Sequence, residues 1–288
     1  MSKIKNVSII GVGLIGGSLG LALKKGRAVK KVTGIGRHLE KLKKARQMGA
    51  VDEYTTDFLS GVKDADLVVI CTPVGLIAST LKKILPALKD GCLITDVGSV
   101  KGPVVAAAKK VIGSRKVFFI GGHPMAGSEQ AGIGSASRQL FVDAVWLLTP
   151  AKNTPEEKVA ALTALLRRTG ASILQLNAQS HDRIVSVTSH LPHLLAATMV
   201  NYLQLQDRKN PNTSRLTAGG FRDLTRIASS SPEIWADISL MNREEIIRAM
   251  AEFNRLAGQM LQALKSGKRK EVFNLFTRAK QTRDRMLK

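Results

Sequence analysis

At 288 residues the chain can bury the cores of two ordinary domains, and 44% hydrophobic with 23% charged residues is the balance of a water-soluble globular protein. Its charge is unusual: 44 Lys and Arg against 22 Asp and Glu leave a net +22, which draws anions to the surface. The cations are spread from Lys24 to Lys270, only 4% of residues are aromatic, and no nucleic-acid motif occurs; a small anionic ligand is expected, not nucleic acid.

Met1-Ser2-Lys3-Ile4-Lys5 runs straight into the first strand and leaves no room for a signal peptide. No apolar run nears the ~20 residues of a membrane span. Cys71 and Cys92 sit in apolar runs, where a reduced thiol is the default. A cytoplasmic protein with no membrane partner is expected. The first strand, Val7–Ile10, leads into Gly11-Val12-Gly13-Leu14-Ile15-Gly16, and the residues on to Lys24 read as a helix. Strand, glycine turn and helix in that order are the context of a dinucleotide fingerprint. Gly11 permits the tight turn, and Gly13 removes a side chain where a pyrophosphate meets the backbone. Gly16 lets the helix sit close to the strand, while the first turn, with Leu14 and Ile15, offers N–H groups to the phosphates. Two other motifs overlap this one. Gly16-Gly17-Ser18-Leu19-Gly20 has the spacing of a hydrolase elbow, but the turn falls earlier and leaves Ser18 inside the helix. Gly11 to Ser18 has P-loop spacing, with Gly17 where the lysine should stand.

Lys31–Gly36 reads as the second strand and Leu39–Met48 as its helix. An acid at the tip of this strand usually holds the ribose of NAD; here Gly36-Arg37-His38 stands instead. Arg37 can pair with a 2′-phosphate, so the expected cofactor is NADP or NAD, with a lean to NADP. Asp66–Pro73, Gly91–Ser99 and Lys116–Ile120 are continuous apolar runs alternating with helical segments, the pattern of a parallel sheet covered on both faces. Val145–Pro150 and Ala171–Leu176 add further strands. Ligands bind at the carboxyl edge of such sheets, which here carries Thr72-Pro73-Val74, Gly98-Ser99-Val100-Lys101 and Gly121-Gly122-His123-Pro124. Thr72 and Pro73 are therefore assigned to the cofactor. After Asn177 the pattern becomes helical, which divides the chain into 1–176 and 177–288.

Four of the five histidines fall in two segments. His123 lies in a glycine-rich loop where a nicotinamide ring would end, and is the candidate base. In His181–His193 a helical period places Asp182, Ser186, Ser189, His190 and His193 on one polar stripe, with Ile184, Val185, Val187 and Leu191 on other faces. Pro192 removes a hydrogen bond to the Thr188 carbonyl and should kink this helix. No Cys lies near these histidines and no His-Glu-x-x-His occurs, so no metal is expected. A third candidate, Gly219–Ala228, carries Arg222, Asp223 and Arg226, and arginine suits a two-point grip on a carboxylate.

Gly11–Ser18, Asp96–Lys101, Gly121–Gly132, His181–His193 and Gly219–Ala228, in this order and spacing, resemble the prephenate/arogenate dehydrogenase family of tyrosine biosynthesis. The resemblance implies an α/β fold: a Rossmann-type doubly wound parallel sheet followed by an all-helical dimerisation domain, working as a homodimer. It implies oxidative decarboxylation of prephenate, a dianion, or of arogenate, which carries an ammonium in place of the keto group, with hydride transfer to NAD(P). By the same resemblance His123 takes the proton of the ring hydroxyl and Ser99 orients that hydroxyl. His193 and Arg226 hold substrate carboxylates, Glu129 shapes and gates the pocket, and Ser189 joins the substrate-binding set. Arg37 departs from the acid of NAD-using members. The chain ends at Lys288 without room for a regulatory ACT domain, and no chorismate mutase domain precedes the fingerprint, so a minimal monofunctional form is expected. A β-hydroxyacid dehydrogenase of the same plan would need a lysine within Ala178–Leu203, which has none. A non-catalytic NADP sensor would leave the His123 loop and the polar stripe without a purpose.

Overall fold

In the computed structural model, which describes residues 4–128 and 130–286, β1 (Asn6–Ile10) is the strand from which the sheet grows in both directions. On one side it pairs in parallel with β2 (Lys31–Ile35), which pairs with the short β3 (Glu53–Thr55). On the other side follow β4 (Leu67–Ile70), β5 (Leu93–Asp96), β6 (Phe118–Pro124), β7 (Val145–Pro150) and β8 (Ser172–Gln175). The spatial order is β3-β2-β1-β4-β5-β6-β7-β8. Sequence reading misses β3, whose three residues, Glu53, Tyr54 and Thr55, give no apolar run.

The crossovers are α1 (Leu14–Lys25), α2 (Leu39–Gln47), α3 (Phe58–Val62), α4 (Ile77–Ile84), α5 (Gly102–Ile112) and α6 (Glu156–Arg167). Both faces of the sheet are covered, and the pleat sorts residues between two cores. Leu67 and Val69 of β4 pack with Val7, Ile9, Leu19 and Leu23; Val68 and Ile70 pack with Ile10, Leu81, Ile94 and Val104. Alternate residues serve opposite cores, which is why these strands read as unbroken apolar runs.

One strand departs from the parallel pattern. β7 runs antiparallel to β6, with His123 opposite Leu147 and Pro124 opposite Trp146. A parallel return needs a crossover, usually a helix, and residues between Met125 and Ala144 supply only a single 3₁₀ turn at Ile133–Ser135 among those described. β6 also extends through Gly121-Gly122-His123-Pro124, a stretch the sequence presents as a loop. His123 therefore sits on a strand clamped by a ladder, a stiffer mount than a loop.

The helical segment opens with α7 (Ala178–Val185), capped by the Asn177 side chain, which accepts the Ser180 N–H at 2.8 Å. A π-turn over Ser186–His190 leads into α8 (Leu191–Asp207), then α9 (Asn212–Arg215), α10 (Gly219–Thr225) and α11 (Pro232–Met241). The expected kink at Pro192 takes the form of that π-turn: the proline, in the first turn of α8, cannot donate to the helix, and the extra residue absorbs the mismatch. α7 packs on α5, and α11 packs on residues 74–76, with Ile238 buried in the second core. These helices share one compact unit, up to Asn242, with the sheet. A second unit begins at Arg243 and holds α12 (Arg243–Ser266) and α13 (Arg269–Met286), joined at Gly267 in a left-handed conformation (φ +66°). Among the described residues no helix is long and apolar enough to cross a membrane.

Candidate active site

The glycine turn has the geometry that its sequence requires. Gly11 holds φ +91°, its N–H donates to the Ile35 carbonyl at 2.8 Å, and a Cβ there would lie 2.6 Å from the Cys71 carbonyl oxygen. A Cβ on Gly16 would run into the carbonyl of Gly11, so helix and strand meet at van der Waals distance. Gly13 is different: a Cβ on it would meet nothing within 4 Å, and it caps α1 with no side-chain hydrogen bond and no acid in the first turn. Half-buried Leu14 and Ile15 begin that turn. Backbone N–H groups facing open space at a helix N-terminus suit a pyrophosphate. Ser18 lies fully buried within α1, accepting the Ser137 N–H at 2.9 Å, so it is no nucleophile. Beside the turn, Thr72 has a buried Oγ1 with no hydrogen-bond partner among the described residues, and Pro73 is exposed. Arg37 is exposed just past β2. The strand order β2-β1-β4-β5-β6 lines up Arg37, the glycine turn, Thr72–Pro73, Ser99 and His123 along one edge. At about 4.8 Å per strand, β1 and β6 stand roughly 14 Å apart. The open surface at Gly13 and the orphaned Thr72 hydroxyl fit a dinucleotide laid along this edge.

A fully buried ion pair fixes the far end. The Lys101 ammonium binds the Asp96 carboxylate and donates to the Gly122 carbonyl at 2.9 Å; Asp96 also accepts the N–H groups of Gly98 (2.8 Å) and Gly122 (3.1 Å). Both polar groups of Gly122, the residue before His123, are thus gripped by one pair, as is the loop that carries half-buried Ser99. Burial lowers the Lys101 proton affinity and the Asp96 carboxylate pulls it back up. Neither residue is a site candidate from sequence reading. The usable signal is an aspartate at the end of an otherwise apolar strand, which must find a cation when buried.

His123, 8% exposed, points Nδ1 at Nε2 of His181 across 2.9 Å, and Nδ1 of His181 meets Oδ1 of Asp182 at 2.8 Å. Asp182 also accepts the Lys101 and Gly102 N–H groups, both at 2.7 Å, at the N-terminus of α5. Burial, followed by the neighbouring His181, Lys101 and His190, pushes the His123 proton affinity well below that of a free imidazole. The ring is therefore neutral at pH 7 and able to accept a proton.

The polar stripe is partly redrawn by the π-turn. His181, Asp182, Ser186 and His190 are buried, whereas Ile184 and Val187, expected on buried faces, are 46% and 57% exposed. Asn242 donates to Nδ1 of His190 at 3.0 Å and to the Asp182 carbonyl at 2.9 Å. The His190 Nε2–H is buried beside the Ser99 backbone, without meeting strict hydrogen-bond geometry there. Burial lowers the His190 pKa to about 4. His193 donates from Nδ1 to the carbonyl of half-buried Ser189 (3.0 Å) and stacks on Trp235 at 3.6 Å. Its proton affinity is lowered by burial and by the charge of Arg226, so His193, Trp235 and Arg226 form one cluster. Trp235 and Asn242 are missed by sequence reading because they join the site only through the packing of α11. Glu129 lies outside the described residues. No three His, Cys, Asp or Glu side chains among the described residues are arranged to hold a metal ion.

Comparison with known proteins adds to this geometry. The family model described as "Prephenate dehydrogenase, nucleotide-binding domain" matches residues 19–175, and "Prephenate dehydrogenase, dimerization domain" matches residues 177–278. The chain belongs to the prephenate dehydrogenase family. Within that family, the prephenate dehydrogenase of Bacillus subtilis is 39% identical over 286 residues, which cover 99% of this chain and 77% of that protein. The cyclohexadienyl dehydrogenase of Zymomonas mobilis is 32% identical over 254 residues, covering 88% of this chain and 86% of that one. Among solved structures, prephenate dehydrogenase from A. aeolicus in complex with hydroxyphenyl propionate and NAD+ superposes with a TM-score of 0.91 at 31% identity, over 98% of each chain.

Proposed function

We propose that this chain is an NAD(P)-dependent dehydrogenase that oxidatively decarboxylates prephenate, or its amino counterpart arogenate. The observation that carries the reading is a buried His123, hydrogen-bonded to His181 at the end of the nucleotide edge, in a chain of this family. Residues 1–176 form the nucleotide-binding part and 177–288 the substrate-binding and dimerisation part. Gly11, Gly13, Leu14, Ile15 and Gly16 would cradle the pyrophosphate, with Thr72 and Pro73 alongside. Arg37, exposed at the tip of β2, would meet a 2′-phosphate, which favours NADP over NAD. The bound nucleotide supplies the hydride acceptor.

The chain's own groups do the rest. His123 takes the proton of the ring hydroxyl as the carbinol is oxidised, and Ser99, on the neighbouring loop, orients that hydroxyl. His193 and Arg226 hold the carboxylates, Ser189 sets the His193 ring through its carbonyl, and Glu129, by the family resemblance alone, is assigned to shaping and gating the pocket. Loss of CO₂ from the dienone restores aromaticity, so the acid–base work falls to one imidazole. A net charge of +22 concentrates a dianion at the surface. The homodimer would form through the helical part, where α12 and α13 expose Ile247, Leu256, Leu264, Phe273 and Phe276.

Initial rates with prephenate or arogenate, each with NAD or NADP, test the reading. Turnover of either substrate supports it, and a preference for NADP supports the role of Arg37. Absence of turnover in all four combinations overturns it.

A further inference from the structure

Asp182, His181 and His123 form a continuous hydrogen-bonded line whose proton positions follow from chemistry. An ionised carboxylate only accepts, so the 2.8 Å contact requires a proton on His181 Nδ1. Neutral His181 then presents a lone pair at Nε2, and the 2.9 Å contact requires the proton on His123 Nδ1. The remaining nitrogen of His123, Nε2, is left with its lone pair for a substrate hydroxyl. Asp182 also accepts two backbone N–H groups at 2.7 Å, at the N-terminus of the 11-residue α5, so both of its oxygens are engaged as acceptors.

We propose that Asp182 and His181 are positioning residues that make His123 one end of a two-proton relay. The inference rests on His123 being the base. When the substrate O–H bond breaks, its proton bonds to His123 Nε2, and the electron pair closes the carbonyl as the hydride departs to the oxidised nicotinamide. The His123 Nδ1–H bond breaks towards His181 Nε2. His123 is again neutral, and the positive charge rests on His181, still hydrogen-bonded through Nδ1–H to the Asp182 carboxylate. Both shifts reverse when the proton leaves to water. Burial penalises a charge on His123, which faces Lys101 from the β5–α5 connection and His190 from the π-turn, both unfavourable to a cation. One ring further on, the same charge meets a carboxylate. His181 is buried as well, so the hop gains not solvent but the Asp182 carboxylate, 2.8 Å from its Nδ1.

The test uses His181→Gln and His181→Ala in the full chain, with His123→Asn as the reference. Gln can accept the His123 Nδ1–H bond, and so hold the tautomer, but it cannot carry a proton. Expected for both His181 variants is a fall in kcat of about 10²-fold, at the low end for acid–base catalysis, with the KM of the nucleotide unchanged. The proton inventory on kcat/KM in mixed H₂O and D₂O should be bowed for the parent protein and straight for His181→Gln. Full kcat in His181→Gln, or a straight inventory in the parent, overturns the relay. If His123→Asn itself keeps its turnover, it is the base assignment that fails. Nucleotide binding and thermal unfolding of His181→Gln separate a catalytic loss from a folding one: a variant that neither folds nor binds, while His181→Ala does both and turns over normally, also overturns the relay.

Discussion

Replacing Lys101 with Met should damage stability and catalysis together. Lys101 and Asp96 are both fully buried, and Met keeps most of the lysine volume while removing the charge. Asp96 would retain only the Gly98 and Gly122 N–H groups, and the Gly122 carbonyl would lose its 2.9 Å donor. Removing one partner of a buried ion pair costs about 3–5 kcal/mol, because the other charge stays behind unneutralised. That is a large part of the roughly 5–15 kcal/mol by which domains are stable. Urea denaturation followed by circular dichroism reads the loss. Since the pair grips the residue before His123, kcat should fall as well; displacement of a catalytic group by about 1 Å can cost about 10²-fold. Asp96→Asn combined with Lys101→Met should cost less than the sum of the single changes, by up to about 3 kcal/mol. A Lys101→Met loss below about 1 kcal/mol, or strict additivity in the double variant, would refute the reasoning.

Acid should destabilise the protein through its buried histidines. His190 has a folded pKa of about 4 against about 6.5 when unfolded, so the unfolded chain binds more protons between those values. Stability is therefore full above about pH 6.5 and falls as pH drops towards 4, by roughly 3 kcal/mol from His190 alone. Denaturation midpoints across that range check it, and His190→Gln should flatten the slope. At the glycine turn, Gly16→Ala should destabilise by about 1–3 kcal/mol through overpacking. Gly13→Ala should leave the melting temperature nearly unchanged yet weaken nucleotide binding about tenfold or more, as its methyl occupies the pyrophosphate approach; equal effects of the two changes would contradict the geometry. Arg37→Asp should shift the NADP/NAD ratio of kcat/KM towards NAD by at least about tenfold, with stability altered by less than about 0.5 kcal/mol. An unchanged ratio removes Arg37 from the cofactor site.

The nucleotide half of the site is legible in the sequence because a local run creates it: Gly11, Gly13 and Gly16 act through backbone geometry within one strand–turn–helix unit. His123 is legible as a residue but not as a mount, since the pairing of β6 with an antiparallel β7 is a long-range event with no local signature. The histidine segment shows the limit of periodicity. A 3.6-residue wheel places His181 off the polar stripe, yet the structure buries it against His123, and the π-turn over Ser186–His190 shifts the register of everything after it. Lys101 and Asp96 look like ordinary loop and strand-end residues until the fold removes all water from them. Trp235 of α11 and Asn242 at its C-terminal cap reach the histidines from far along the chain, and only packing shows it.

His123 as the base at the end of a nucleotide site is tested by His123→Asn, assayed for turnover of prephenate and arogenate and for NAD(P) binding by nucleotide fluorescence. Turnover should fall by about 10²-fold or more while nucleotide affinity stays within about threefold of the parent, since no phosphate-binding group is touched. Retained turnover, or joint loss of turnover and nucleotide binding in a folded protein, would contradict that role.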